Sequence, residues 1–230
     1  MSTASLKMIS SMATRAVLSE LAAQYQAATG QPVIAEAAGG VEVAKRVRSG
    51  EQVDIVVLAS DVIDKLLAEG KLQAGSRKDL VKSGIAVAVR EGQPKPDLGT
   101  EDAVRRAVLA APNISYSTGP SGDYLQSMFE RWNILEDLRS RIVVPPPGVP
   151  VGSLVADGKA ALGFQQSSEL INCPGVTVVG PLPAAIQMLT IFSAGISAAT
   201  AQAEAARAFL NYLVAPAAAR IKQRHGMEPA

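Results

Sequence analysis

The strongest constraint in this sequence is a repeated unit. A short apolar run breaks at small, hydroxyl-bearing or glycine residues, and apolar residues then return at helical spacing. Leu6 to Ile9 is the first run, broken by Ser10-Ser11-Met12. Val17, Leu18, Leu21 and Tyr25 follow at the intervals of one helix face, up to a stop at Thr29-Gly30. Pro32 to Ala35 leads through Ala38-Gly39-Gly40 to a helix over Glu42–Ser49 that Gly50 ends. Asp54 to Leu58 is nearly continuous in apolar residues, as in a strand buried on both faces. Ser60-Asp61 then stands where a cap for a helix over Val62–Glu69 would stand. Strands and helices alternating at this pitch predict an α/β chain with a mostly parallel sheet.

A second series begins after the strand expected over Gly84–Arg90 and the breaker Gln93-Pro94-Lys95-Pro96-Asp97. It contains a helix over Glu101–Ala110, a strand over Ile114–Ser117, a helix over Tyr124–Trp132 and a strand over Arg141–Val144. The stiff loop Pro145-Pro146-Pro147-Gly148 precedes a helix over Val151–Asp157 and a strand over Ala161–Gln165. Met188 to Ile196 is strand-like, and an Ala-rich helix over Ala201–Leu213 closes the chain, with a further turn after Pro216. The expected architecture is therefore two Rossmann-like lobes joined by two crossing segments. Lobe 1 takes residues 1–83 plus 198–230, lobe 2 takes 93–184, and the crossings take 84–92 and 185–197.

Composition narrows what such a chain does. Lys plus Arg is 22 against 21 for Asp plus Glu, a net +1, so the basic excess of a nucleic-acid surface is missing. Cys173 and His225 are each the only residue of their type. That removes disulfides, thiolate zinc sites and Ser-His-Asp catalysis, and no metal or cofactor is expected. Hydrophobic residues reach 48%, yet no stretch approaches the ~18–20 apolar residues of a membrane span. Met1 to Lys7 lacks a basic flank leading into an apolar run, so no leader is read there.

The chemistry is expected where strands end. Ligands in open α/β sheets bind beyond the carboxyl ends of the strands, and a helix starting there presents unpaired N–H groups and a positive dipole end. The candidates in the first series are Ser10, Ser11 and Met12, then Gly39, Gly40 and Val41, then Ser60. In the second series they are Ser117, Thr118, Ser121 and Gly122, then Gln165 and Gln166. Glycine admits close approach of the backbone and hydroxyls add donors of adjustable direction, so a small anion can be neutralised without a cationic cluster. Arg15, at a helix start, is placed to clamp a carboxylate, although a solvated arginine fits as well. Ser, Thr and Gly before helices also serve as plain caps, so each turn has two readings.

The order of Leu21-Ala22-Ala23 to Thr29-Gly30, Gly39-Gly40, Val53-Asp54-Ile55 and Pro120-Ser121-Gly122-Asp123-Tyr124 resembles a known family. Ala205-Ala206-Arg207-Ala208-Phe209-Leu210 through Pro216, and Gly226-Met227-Glu228-Pro229, continue the likeness. It is to the molybdate-binding-like group of bacterial extracellular solute-binding proteins, with the type II periplasmic-binding-protein fold. The resemblance implies a small anionic ligand in a cleft between lobes that close like a hinged trap, delivery to an ABC permease, a monomer, and a periplasmic location with the leader removed. A cytoplasmic location is the alternative. Against the group's loops, a serine position falls near Ala13, a Gly-Gly-Ser loop becomes Gly39-Gly40-Val41, and Pro-Ala-Gly becomes Pro120-Ser121-Gly122. Val149 falls near a backbone donor position, next to Pro150, which cannot donate. The tyrosine closing the next strand becomes Gln166. These departures favour an organic carboxylate over molybdate. The leading reading is a binding protein rather than an enzyme, and because the group also includes an aconitate isomerase, a polycarboxylate double-bond isomerase is the alternative. Its catalytic residues are not singled out by spacing; Tyr116, Asp123 and Glu169 are the titratable groups nearest the loops.

Overall fold

The computed structural model describes residues 4–146 and 148–230. The leader reading rests partly on residues 1–3 and the triple-proline loop partly on Pro147, all outside the described residues. The chain runs β1 (Leu6–Ser11), α1 (Arg15–Thr29), β2 (Val33–Ala38), α2 (Gly40–Arg48), β3 (Ile55–Ala59), α3 (Ser60–Ala68) and β4 (Lys78–Arg90). It continues with α4 (Glu101–Ala110), β5 (Ile114–Tyr116), α5 (Pro120–Arg131), α6 (Leu135–Leu138), α7 (Val151–Ala156), β6 (Leu162–Gln166), α8 (Ser167–Leu170) and β7 (Val176–Pro181). It ends with β8 (Leu189–Ile196), α9 (Ala203–Val214), α10 (Ala219–Arg224) and β9 (Glu228–Pro229). Two compact units result, one of Met1–Lys82 with Ile191–Ala230 and the other of Ser83–Thr190.

In the first unit the strand order is β2-β1-β3-β8-β4, with β9 added to β4 at Val81↔Pro229. β1 lies parallel to both β2 and β3, whereas β8 returns antiparallel to β3. The alternation of strand side chains divides the core into two layers. Leu6, Met8, Ile55 and Val57 pack under α1, α9 and α10 with Leu21, Phe209 and Leu213. Ile9, Val56 and Leu58 face α2 and α3 with Val43, Val47, Ile63 and Leu66. Each such side chain contributes about 1.5–3 kcal/mol on burial. With few aromatics available, Tyr25 and Phe209 pack at 4.9 Å between centroids and supply much of the bulk beneath α1.

In the second unit β4 pairs with β6, which pairs in parallel with β5, and β7 also lies along β4. Ile85, Val87, Val89 and Phe164 face α4, α5 and α6. On the opposite face Ala86 and Ala88 meet Leu170 of α8. Gly163 is set against α7, and a Cβ there would sit 2.5 Å from Val155 and 2.9 Å from Val151. A glycine in β6 is thus what lets α7 approach the strand.

The strand expected over Arg141–Val144 is absent. Ile142 makes a single bridge to Ile114 and the Val143 N–H donates to Ile114 O at 2.8 Å, after which Pro145 and Pro146 offer no donors to extend the ladder. β7 was not anticipated, because Val176 to Pro181 is short and ends in Gly180-Pro181. β4 begins at Lys78, six residues before the expected Gly84, since Lys78–Ser83 carries charged residues on a partly exposed stretch.

Candidate functional site

In the first unit the β1–β2 register pairs Ser11 with Ala38, and the β1–β3 register pairs Ser10 with Val57. The ends of three parallel strands are therefore flush, and the turns at Ser11–Met12, Gly39–Gly40 and Ala59–Ser60 lie side by side. Ser10 is buried and its hydroxyl donates to Ser11 O at 3.3 Å and Glu36 O at 3.4 Å. Thr14, fully buried, donates to Ser11 O at 3.1 Å and shares a 3.4 Å contact with the Ser11 hydroxyl. Thr14 was not singled out from sequence, although it is the residue that fixes the Ser11 turn. Met12 opens a short 3-10 turn, and Arg15 is exposed, with no ion pair among the described residues.

Gly39 is the N-cap of α2, Gly40 its first residue, and Val41 is 78% exposed in the first turn. Ser60 does not cap α3 as expected. Ala59 occupies the cap position and Ser60 is the first helical residue. Neither α2 nor α3 has a side-chain cap hydrogen bond. By contrast, Thr100 caps α4 and accepts the Ala103 N–H at 3.1 Å. The first-turn donors of α2 and α3 are thus not occupied by a cap side chain, as is also the case for α1, α5 and α9.

In the second unit Tyr116 is level with Phe164, so Ser117 and Gln165 stand abreast at the ends of β5 and β6. Ser117 and Ser121 hydroxyls meet at 2.8 Å, Thr118 is exposed, and Gly122 and Ser121 are buried in the first turn of α5. A Cβ on Gly122 would lie 1.6 Å from Ser117 O. The turn exists in this form only because that residue is glycine. Gly119 caps α5 without a side-chain bond, and Pro120 at its start gives up only a donor that had no helical partner.

Gln165 and Gln166 are both buried, but as neighbours in a strand they point to opposite faces. Gln165 faces α7, where its carbonyl accepts the Gly152 N–H at 3.3 Å while its amide donates to Glu169 Oε1 at 2.7 Å. It thus serves as a remote cap for α7 and a holder for Glu169. Burial pushes the Glu169 carboxyl up to about 7, opposed in part by the Gln165 hydrogen bond. Gln166 turns the other way and donates to Thr190 Oγ1 at 2.9 Å. Val149 is a correction to the expected backbone donor, since its N–H is occupied by Pro146 O at 3.0 Å. Of the other titratable groups near the loops, Tyr116 is half-buried with its phenol pushed up by burial, and Asp123 is exposed. Among the described residues no group of three or more His, Cys, Asp or Glu could hold a metal ion, and no helix is long and apolar enough to cross a membrane.

Solved structures show that this α/β frame has the type II periplasmic-binding-protein fold. The periplasmic molybdate-binding protein of Azotobacter vinelandii superimposes with a TM-score of 0.82 at 23% identity, over 98% of this chain and 99% of that one. The sulfate-binding protein SubI of Mycobacterium tuberculosis does so at 0.78 and 17% identity, over 98% and 87%. The chain belongs to the bacterial extracellular solute-binding protein family, whose pattern matches residues 6–228. It is also 36% identical to the aconitate isomerase of a Pseudomonas species, over 97% of this chain and 87% of that protein.

Proposed function

We propose that this protein binds a small organic polycarboxylate and shifts its carbon–carbon double bond, as an aconitate-type isomerase. The observation that carries the reading is Glu169, a carboxyl held by Gln165 at the β6 end and brought to about 7 by burial. A base that is half-ionised near neutral pH can take a proton and return it without a partner of different pKa. In the allylic shift, the Glu169 carboxylate removes a proton from the methylene carbon. The C–H electron pair delocalises through the alkene toward a substrate carboxylate, and the Glu169 carboxyl, after exchange with solvent, delivers a proton to the far alkene carbon. Helix-start amides and hydroxyls such as Ser117 and Ser121 are of the type that stabilises the charge arriving on that carboxylate. The likeness to aconitate isomerase over nearly the whole chain supports the substrate class.

A second reading, capture of a small anion outside the cytoplasm for an ABC permease, is favoured by the family itself. Incubation with trans-aconitate followed by proton NMR separates the two. Formation of cis-aconitate and solvent deuterium incorporation in D2O support the isomerase. Calorimetric binding of aconitate, molybdate or sulfate without turnover leaves only the binding protein.

A further inference from the structure

Four buried side-chain polar atoms lack a hydrogen-bond partner among the described residues, and two of them lie on paired strands of the second unit: Ser83 Oγ on β4 and Gln166 Oε1 at the end of β6. An unpaired buried polar atom costs about 1–3 kcal/mol, so two close together call for a cause. The register brings them together. Ile85 pairs with Gln166 across β4 and β6, so Ser83, two residues back on β4, points to the same face as Ile85. Thr190 joins them through its 2.9 Å bond from the Gln166 amide. That bond occupies a lone pair of the threonine and leaves its proton to be donated elsewhere.

We propose that Ser83, Gln166 and Thr190 form a subsite for one carboxyl group of the ligand, a reading that rests on the polycarboxylate function above. The two hydroxyls can donate to the carboxyl oxygens, and the free Gln166 carbonyl accepts a hydrogen bond from a protonated ligand carboxyl or from a neighbouring hydroxyl. Gly84 has a supporting role: a Cβ there would meet the Gln187 amide at 3.0 Å, and Gln187 clamps both the N–H and the carbonyl of Ile85 next to Ser83.

The test is calorimetric titration of wild type, Ser83→Ala and Thr190→Val with trans-aconitate and with a dicarboxylate of the same carbon skeleton lacking one carboxyl. Each variant is expected to lose roughly tenfold in affinity for the tricarboxylate and little for the dicarboxylate. The melting temperature of ligand-free Ser83→Ala is expected to stay level or rise, because the lost hydroxyl had no partner. Equal losses for both ligands, or no loss where wild type binds, overturn the subsite while leaving the polycarboxylate reading intact. A wild type that binds neither carboxylate overturns both. Should Thr190→Val fail to fold, Thr190→Ala takes its place in the same comparison.

Discussion

Gln165 holds Glu169 across the junction of β6 and α8, 2.7 Å from amide to carboxylate, while its carbonyl takes the Gly152 N–H of α7. One amide thereby fixes a helix start and a titratable group together. If Glu169 is the base, Glu169→Gln keeps the hydrogen-bonding shape but removes proton transfer. The expected loss in kcat is on the order of 10²–10⁴-fold, with ligand affinity within a few-fold of wild type. In wild type, kcat/KM is expected to rise with pH through about 7 and level off above it, as the carboxylate form becomes populated. Initial rates between pH 5 and 9 check both statements, and a flat profile removes Glu169 from the chemistry.

The same carboxyl sets a pH dependence of stability. Its folded pKa of about 7 lies above the ordinary 4.5, so the native state holds a proton that the unfolded state has already released. Stability from this group is full below about 4.5, declines as pH rises toward 7, and is lost above it, by no more than about 3 kcal/mol. Denaturant midpoints at pH 5 and pH 8 measure that slope. Glu169→Gln is expected to flatten it and to be more stable than wild type at pH 8.

Gly122 offers a sharper steric test. Its absent Cβ would stand 1.6 Å from a backbone oxygen, Ser117 O, which cannot swing away as a flexible side chain would. Gly122→Ala is expected to cost about 2–4 kcal/mol and to pull the Ser117–Ser121 hydroxyl pair apart. Gly119→Ala, three residues earlier, meets nothing within 4 Å at a negative φ and is expected to stay within about 1 kcal/mol of wild type. Thermal melts of the two variants give the contrast directly.

Much of the frame was legible because strand and helix periods alternate cleanly in residues 6–70 and 101–166. The helix over Glu101–Ala110 starts and stops where Thr100 and the following Ala111-Pro112 dictate. Helix starts elsewhere slipped by two residues, as at Gly40 and Ser60, or by four, as at Pro120, because a hydroxyl next to a helix scores as a cap whether or not its side chain turns back. The site was only partly readable. Strand alternation on its own predicts that Gln165 and Gln166 diverge, yet which face holds α7 depends on Gly163 admitting that helix. Thr14, Ser83 and Thr190 gave no signal, since small polar residues are common and their roles come from long-range pairing.

Asp54 shows how a buried acid can be purely architectural. It is 8% exposed, and its carboxylate accepts the Lys7 N–H at 2.8 Å and the Gln202 amide at 3.3 Å, together with the Thr200 hydroxyl. These donors come from β1 and from the segment leading into α9, so one side chain ties the start of the chain to its last third. Asp54→Ala leaves three donors short of a partner in a partly closed space, and about 3 kcal/mol of destabilisation is expected. Removing one partner of an exposed pair such as Lys159 with Asp157, 63% and 56% exposed, is expected to change stability by less than about 0.5 kcal/mol. Because the Asp54 donors hold backbone rather than ligand, affinity per folded molecule is expected to be unchanged in Asp54→Ala. Calorimetry at a temperature well below its melting point decides this, and a tenfold loss of affinity there would make Asp54 part of the binding machinery.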